Sequence, residues 1–411
     1  MSRLDFFPPT LAEAHARIAA VRPADYARTR NALDGCVTGL SPYVTHGFVD
    51  LPEIAAGVGA VHALDPQHKL MFELGWREFF RHVWQHRGNR IFESAHAGPL
   101  PDDAYAAALP ADVREARTGV PVIDIAVRTL YASGYLHNHA RMWLASYLVH
   151  VRRVHWRAGA DWLYAHLLDG DLGSNHLSWQ WVAGTFSHKP YLFNADNVAR
   201  FAPGHWHSPG SVIDTSYEAL DAIARGGRLP PARPAGGGVE APVLHRRPPD
   251  AMRAVRADAA LVADRDVWLI HPWALHEPPD DLAANTLRVS ICPAEFHETW
   301  PWSDARWNFV GTGMDALSSH CWHDSAAAID AALRTARSVR YVGDAHLGDG
   351  FGFGSSVGPS ADACPQALAA TEPQRRLFAA VERPCSSFSQ WWKKASPTGE
   401  RSDKTTTKAT R

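Results

Sequence analysis

The densest group of chemically able side chains lies between Thr118 and Gly184. Asp169 and Asp171 flank a glycine, Asn175 follows, Trp179 and Trp181 flank Gln180, and His137, Asn138, His139, Arg141 and Met142 crowd one short stretch. Carboxylates two apart can ligate Mg²⁺ or Ca²⁺. The Gly-x₅-Glu continuation of an EF-hand is absent, which excludes that class. His137, His139, His166, His176 and His188 raise the question of zinc, but no cysteine or carboxylate stands at ligand spacing beside them. A histidine in a helical core is more often a hydrogen-bonded structural group, so no metal is expected. Cys292, Cys321, Cys364 and Cys385 lack the Cys-x₂-Cys spacing of iron–sulfur ligands.

Three further groups admit two readings each. The turn Gly35–Pro42 precedes a helix, and Gly39 and Ser41 could offer backbone N–H groups to a phosphate; an ordinary capped loop reads the same way. Glu73, Arg77 and Arg81 stand four apart and can form ion pairs along one helix face. Arg152, Arg153 and Arg157 could grip phosphates or simply be solvated.

The elements that must position these groups are helices. Thr10 caps LAEAHARIAAV, a second helix is predicted over Pro23–Leu33, and another begins near Leu51. Residues 68–93 carry an apolar stripe of Leu70, Phe72, Trp76, Phe80 and Val83. Ile123, Val127, Leu130 and Tyr131 share one helical face, which Gly134 ends. The next helix starts near Asn138 and runs to about Val154, with Met142, Ala145 and Val149 on one face. Residues 94–117 are loop-rich. Residues 229–250, rich in Pro and Gly, have linker composition. Beyond them the pattern changes: 267–275, 287–296 and 339–344 are β-branched runs with helical stretches between, the mark of a parallel α/β sheet. The tail from Trp391 is polar and basic and reads as disordered.

A chain of 411 residues suggests two domains. Five cysteines at irregular spacing fit a reduced, cytoplasmic protein. No apolar run is long enough for a membrane span and no signal peptide is read at the N-terminus. A formal net charge of −2 does not announce nucleic-acid binding, so any DNA site must be a local patch. The sixteen tryptophans are either ordinary packing groups or, in part, an electron relay.

The ordered pattern TG-P--D-A-R-L, HN--RM--AS and DGDL-SN---WQW, together with E--WREF-RH at 73–82, resembles the flavin domain of the DNA photolyase and cryptochrome family over about residues 1–205. The resemblance implies a multidomain α and α/β protein. An all-helical FAD-binding domain (1–228) and a linker (229–250) precede a smaller Rossmann-like parallel-sheet α/β domain (251–390) and a tail (391–411). That α/β domain ordinarily comes first in the family; here it follows. The implied cofactor is FAD, held by Tyr26, Thr38, Leu40, Ser41, Arg77, Asn138, Arg141, Asp169, Asp171 and Asn175, with Asp171 holding Arg141 as its partner. Any antenna chromophore is unspecified. Glu73, Trp76, Asn138, Met142 and Trp181 would line the substrate cavity, and Trp179 and Trp156 would carry electrons. No Trp lies between Trp84 and Trp143, so the usual three-Trp chain is incomplete or rerouted, with Tyr105 the nearest aromatic. His139 and His176 depart from the family pattern close to the cavity.

The resemblance implies a blue-light-dependent flavoprotein. The first expectation is repair of pyrimidine dimers in damaged DNA by electron transfer from reduced FAD. The alternative is a cryptochrome-like photoreceptor without repair activity. No membrane association is expected, and protein partners are not specified.

Overall fold

Helix boundaries follow caps and prolines. The structure is a computed structural model and describes residues 6–228, 231, 236–347, 372 and 374–396. The helical part comprises α1 (Leu11–Ala20), α2 (Pro23–Thr29), α3 (Ser41–Thr45), α4 (Leu51–Gly59), α5 (Lys69–Arg87), α6 (Ala111–Arg114), α7 (Pro121–Ser133), α8 (Asn138–Ser146), α9 (Trp156–His166), α10 (Leu172–Ala183), α11 (Ala195–Phe201) and α12 (Tyr217–Ala224). Thr10 accepts from the Glu13 N–H at 3.2 Å and Asp50 from that of Glu53 at 2.8 Å, satisfying N-terminal groups of α1 and α4. Pro121 starts α7, and Gly134, at φ +67, ends it in the left-handed region. A π-helical turn, Tyr147–Val151, continues α8.

Helix α2 is shorter than expected. Thr29 Oγ1 donates to the Asp25 carbonyl at 2.8 Å and accepts from the Cys36 N–H at 2.9 Å, so the chain folds back on itself after one helical unit.

The α/β part follows: β1 (Leu244–His245), α13 (Ala259–Val262), β2 (Asp266–Ile270), β3 (Leu287–Ile291), α14 (Ala294–Thr299), β4 (Trp302–Ser303), α15 (Asp304–Leu317), β5 (Cys321–Trp322), α16 (Ala326–Leu333) and β6 (Ser338–Arg340). The sheet order is β5-β3-β2-β6, all parallel, with Val267 opposite Leu287 and Val339. Val267, Trp268, Leu269 and Ile270 are buried in succession, as a strand covered on both faces requires. The strands are shorter than their apolar runs. Pro272 has no N–H to continue the β2 ladder, and Pro293 introduces α14. The 229–250 stretch holds a feature its composition hides: β1 pairs antiparallel with β4.

The expectation of disorder from Trp391 does not hold for the residues up to Ser396. Helix α17 (Phe388–Ala395) is capped by Ser387 and buries Phe388, Trp391, Trp392 and Ala395 against α5. The amphipathic spacing outweighs the basic composition. The remainder of that tail, 397–411, lies outside the described residues.

Two apolar cores result, and they do not divide at residue 229. One gathers Ile18, Tyr43, Ile54 and Phe79 with Trp268, Ile291, Phe309 and Trp391. The other gathers Val127, Trp143, Leu144, Leu163, Val182 and Ile213. Helices α9 and α10 and the loop between them contribute to both: Tyr164, Leu168 and Leu177 face the first core, while Leu163, Leu167 and Trp179 face the second. The loop joining α9 to α10 therefore sits on the seam.

Candidate functional site

That loop is Leu167–Asp171, and its two carboxylates have different work. Asp171 is the N-cap of α10: its Oδ1 accepts from the Ser174 N–H at 2.7 Å. Its other oxygen, Oδ2, is buried without a hydrogen-bond partner, 3.8 Å from Arg77 Nη2. Burial raises the Asp171 carboxyl pKa, but Arg77, then His346 and Arg81, outweigh that and bring it down to about 2. Asp169 receives Arg141 Nη2 on both oxygens, at 2.9 and 2.7 Å, and Ser41 Oγ donates to its Oδ2 at 2.6 Å. Arg141 is thus the partner of Asp169, which corrects the expected pairing with Asp171. Spacing shows that both carboxylates share a loop; it does not show that the cap consumes one oxygen of the second.

The remaining positions gather from five helices, α2, α3, α5, α8 and α10. Ser41 opens α3 after a turn in which Thr38 Oγ1 accepts from the Leu40 N–H at 3.3 Å. Gly39 sits at φ +62, in the left-handed region that favours glycine, with Arg17 Nη1 2.4 Å from where a Cβ would lie. Thr45 Oγ1, on the last turn of α3, links Arg77 Nη2 (2.9 Å) to the Asp169 carbonyl (3.2 Å). Arg77 Nε is buried and unpartnered. From α8, Arg141 lies over the Tyr135 ring at 5.3 Å, and Asn138 Nδ2 contacts Met142 Sδ at 3.5 Å. Asn175 Nδ2 donates to the Ala160 carbonyl at 2.9 Å. Tyr26 lies beside Arg30, which pairs with Glu73 at 3.1 Å.

The expected cavity residues are more dispersed. Glu73 is held by Arg30 and by Lys69 at 3.6 Å. Trp76 stacks on Phe388 of α17 with ring centroids 4.1 Å apart and planes 11° apart. Trp181 is 39% exposed and packs beside Tyr191. Trp179 is buried against Gly159, where a Cβ would meet its ring at 2.3 Å, and Trp156 Nε1 donates to Ser94 Oγ. His176 bonds the Leu172 carbonyl and Asp161.

The arginines considered for phosphates are engaged internally. Arg152 forms a two-pronged pair with Asp112 at 2.8 and 3.0 Å, Arg153 donates to the Gly227 carbonyl, and Arg157 bonds Asp161 and the Phe92 carbonyl.

Sequence reasoning missed three residues at the loop: Thr45, Arg306 and His346. Arg306, in α15, donates to the carbonyls of Tyr164 (3.0 Å) and Gly170 (2.6 Å). His346 Nε2 accepts from the Leu172 N–H at 3.3 Å. An arginine inside the apolar helix DARWNFVGTGMDAL was the one available signal. Among the described residues, no helix is long and apolar enough to cross a membrane.

Residues 70–205 match the family described as the FAD binding domain of DNA photolyase. A deoxyribodipyrimidine photo-lyase of Synechococcus sp. is 32% identical over 194 residues, covering 43% of this chain and 39% of the relative. A chloroplastic/mitochondrial cryptochrome DASH of Oryza sativa subsp. japonica is 34% identical over 168 residues, covering 39% of this chain and 28% of the relative. The chain therefore spans about two fifths or less of the length of these relatives. Among solved structures, the cryptochrome of Synechocystis sp. aligns with 29% identity and a TM-score of 0.42, over 46% of this chain and 43% of that one. Over residues 70–205 this chain is thus similar to the FAD-binding domain of DNA photolyase, and its relatives are photo-lyases and cryptochromes DASH.

Proposed function

We propose that the chain is a blue-light-dependent flavoprotein that holds FAD at the seam between its two cores and acts as a photolyase on pyrimidine dimers in DNA. The observation that carries the reading is a pair of buried atoms with no hydrogen-bond partner, Asp171 Oδ2 and Arg77 Nε, on two residues whose charges lie 3.8 Å apart. Buried polar groups are ordinarily satisfied. An acceptor beside a donor suits a ligand that presents both, as FAD does. The rest of the donor set fits as well. The 38–41 turn and Ser41 suit a diphosphate, and Arg141 and Arg77 supply positive charge.

FAD, when bound, would supply the light absorption and the transferable electron. The protein would bind, orient and tune it. Arg141, locked to Asp169, would stabilise negative charge without reorganising. Tyr26, Thr38 and Leu40 would complete the binding surface, with Asn138 and Asn175 directed to the ring. Trp179 and Trp156 would carry electrons through the second core. Glu73, Trp76, Met142 and Trp181 would contact the dimer, the aromatic faces stacking on a flipped base. Free thiols at Cys36, Cys292, Cys321 and Cys385 agree with a cytoplasmic location.

Two observations favour the photoreceptor alternative: Phe388 occupies a face of Trp76 that a base would use, and Glu73 is already paired. The deciding experiment titrates the FAD-loaded chain with dimer-containing and undamaged oligonucleotides, then follows dimer loss under blue light. Preferential binding with light-dependent loss supports repair. Light-driven change in the flavin without either would reject repair and leave the photoreceptor reading.

A further inference from the structure

We infer that the α/β part of the chain forms a wall of the cofactor site, with Arg306 and His346 acting as positioning residues for the turn that carries Asp169 and Asp171. The inference rests on the FAD reading above and assigns the α/β part a task in it.

Arg306 is fully buried, and its hydrogen bonds go to backbone carbonyls of Tyr164 and Gly170. Its guanidinium lies over the rings of Trp302 at 4.1 Å and Tyr164 at 4.5 Å. Taking a guanidinium out of water is costly unless nearby charge compensates it. Burial lowers the Arg306 pKa, and after the Tyr164 contacts it is Asp169 and Asp171 that act against the fall. The α/β part thus brings a fixed positive charge up to the two-aspartate turn from behind. Gly170 permits the approach: a Cβ there would stand 2.5 Å from Arg306 Nη1 and 2.8 Å from the Tyr164 carbonyl oxygen.

His346 holds the other end of the turn. Its Nδ1–H donates to Asp344 Oδ1 at 2.6 Å, and its Nε2 lone pair accepts the Leu172 N–H at 3.3 Å. The Asp344 contact fixes the tautomer, as an orienting carboxylate does for a working histidine. Asp344 is itself anchored to Arg81 at 3.4 Å. The Gly170 carbonyl and the Leu172 N–H are the backbone groups on either side of Asp171. Both are taken by residues of the α/β part. With Asp171 Oδ1 tied to the Ser174 N–H, the direction of Oδ2 is determined.

The test uses the full chain with R306M, R306K, H346N, H346Q and, as a control, R337A, which breaks an exposed pair with Asp266 at the sheet edge. FAD affinity is measured by titrating the apoprotein, the flavin midpoint potential by spectroelectrochemistry, and folding by circular dichroism. R306M and H346N are expected to weaken FAD binding about ten- to a hundredfold, the consequence of leaving a buried backbone group unpaired. R306M is also expected to lower the potential, because a positive charge near the reduced cofactor is gone. H346Q should recover affinity, since its side-chain carbonyl can accept the Leu172 N–H, and R306K should lie between wild type and R306M. R337A should change neither reading. Folded R306M with wild-type affinity and potential would overturn the inference. Should R306M not fold, the H346N and H346Q pair decides: equal affinities in the two refute positioning, and recovery in H346Q alone supports it. A wild-type chain that binds no FAD would sink the FAD reading itself, and this inference with it; wild-type binding with unaffected variants refutes only the inference.

Discussion

Replacing Asp171 by Asn isolates one term of the site. Asn is as good an N-cap as Asp, so the Ser174 contact survives, whereas the negative charge facing Arg77 does not. The carboxyl pKa falls from an ordinary 3.8 to about 2 despite full burial. That fall corresponds to about 2–3 kcal/mol of stability held by the ionised form. The sign is that of a depressed acid. The contribution is complete above the unfolded-state pKa, near 4, and is lost as pH falls through the folded value. D171N should therefore lower the unfolding free energy of the apoprotein by about 2–3 kcal/mol at neutral pH, with no change in that loss down to about pH 5. D171A should lose about 1 kcal/mol more, because the cap goes too. Urea unfolding of the three proteins at two pH values measures both numbers. D171N matching wild type, or D171A matching D171N, would refute the division of labour between the two carboxylate oxygens.

Three other outcomes follow from the same structure. Burial holds His150, His166 and His271 neutral, each with a pKa of about 4; the unfolded chain takes up protons below about 6.5, so stability should be full above that pH and fall steadily toward pH 4, as urea midpoints would show. Removing Phe388 with F388A should strengthen binding of dimer-containing oligonucleotide by about two- to tenfold, the equivalent of one ring stack; unchanged binding would mean that α17 does not compete for Trp76. W179F should abolish light-driven reduction of the flavin, and wild-type reduction should be slow, because beyond Trp156 the next rings are His155 at 5.7 Å and then Tyr105 at 6.2 Å from His155; W179F reducing at the wild-type rate would place the electron path elsewhere.

The helices that bear the site were readable because their signals are local. Pro121, Gly134 and the i, i+4 apolar positions of α7 announce themselves within a few residues, and the alternation of strands and helices beyond 251 announces the parallel sheet. What was not readable depends on partners distant in sequence. Arg306 reaches carbonyls 136 and 142 residues away, so its own helix shows an arginine among apolar residues but not what that arginine holds. The Arg141 pairing was misassigned because a cap contact, invisible in the spacing, decides which aspartate is free. Helix α17 is a different failure: Phe388, Trp391, Trp392 and Ala395 form a readable stripe, and the basic composition around them obscured it.

Whether the seam holds FAD is decided by what copurifies with the chain. Wild-type chain is purified without added cofactor, its visible spectrum is recorded, and the supernatant after denaturation is assayed for FAD. Flavin absorption and release of FAD in near-stoichiometric amount are expected, with occupancy sharply reduced in D171A. A colourless wild-type protein that releases no flavin and does not take up added FAD would contradict it.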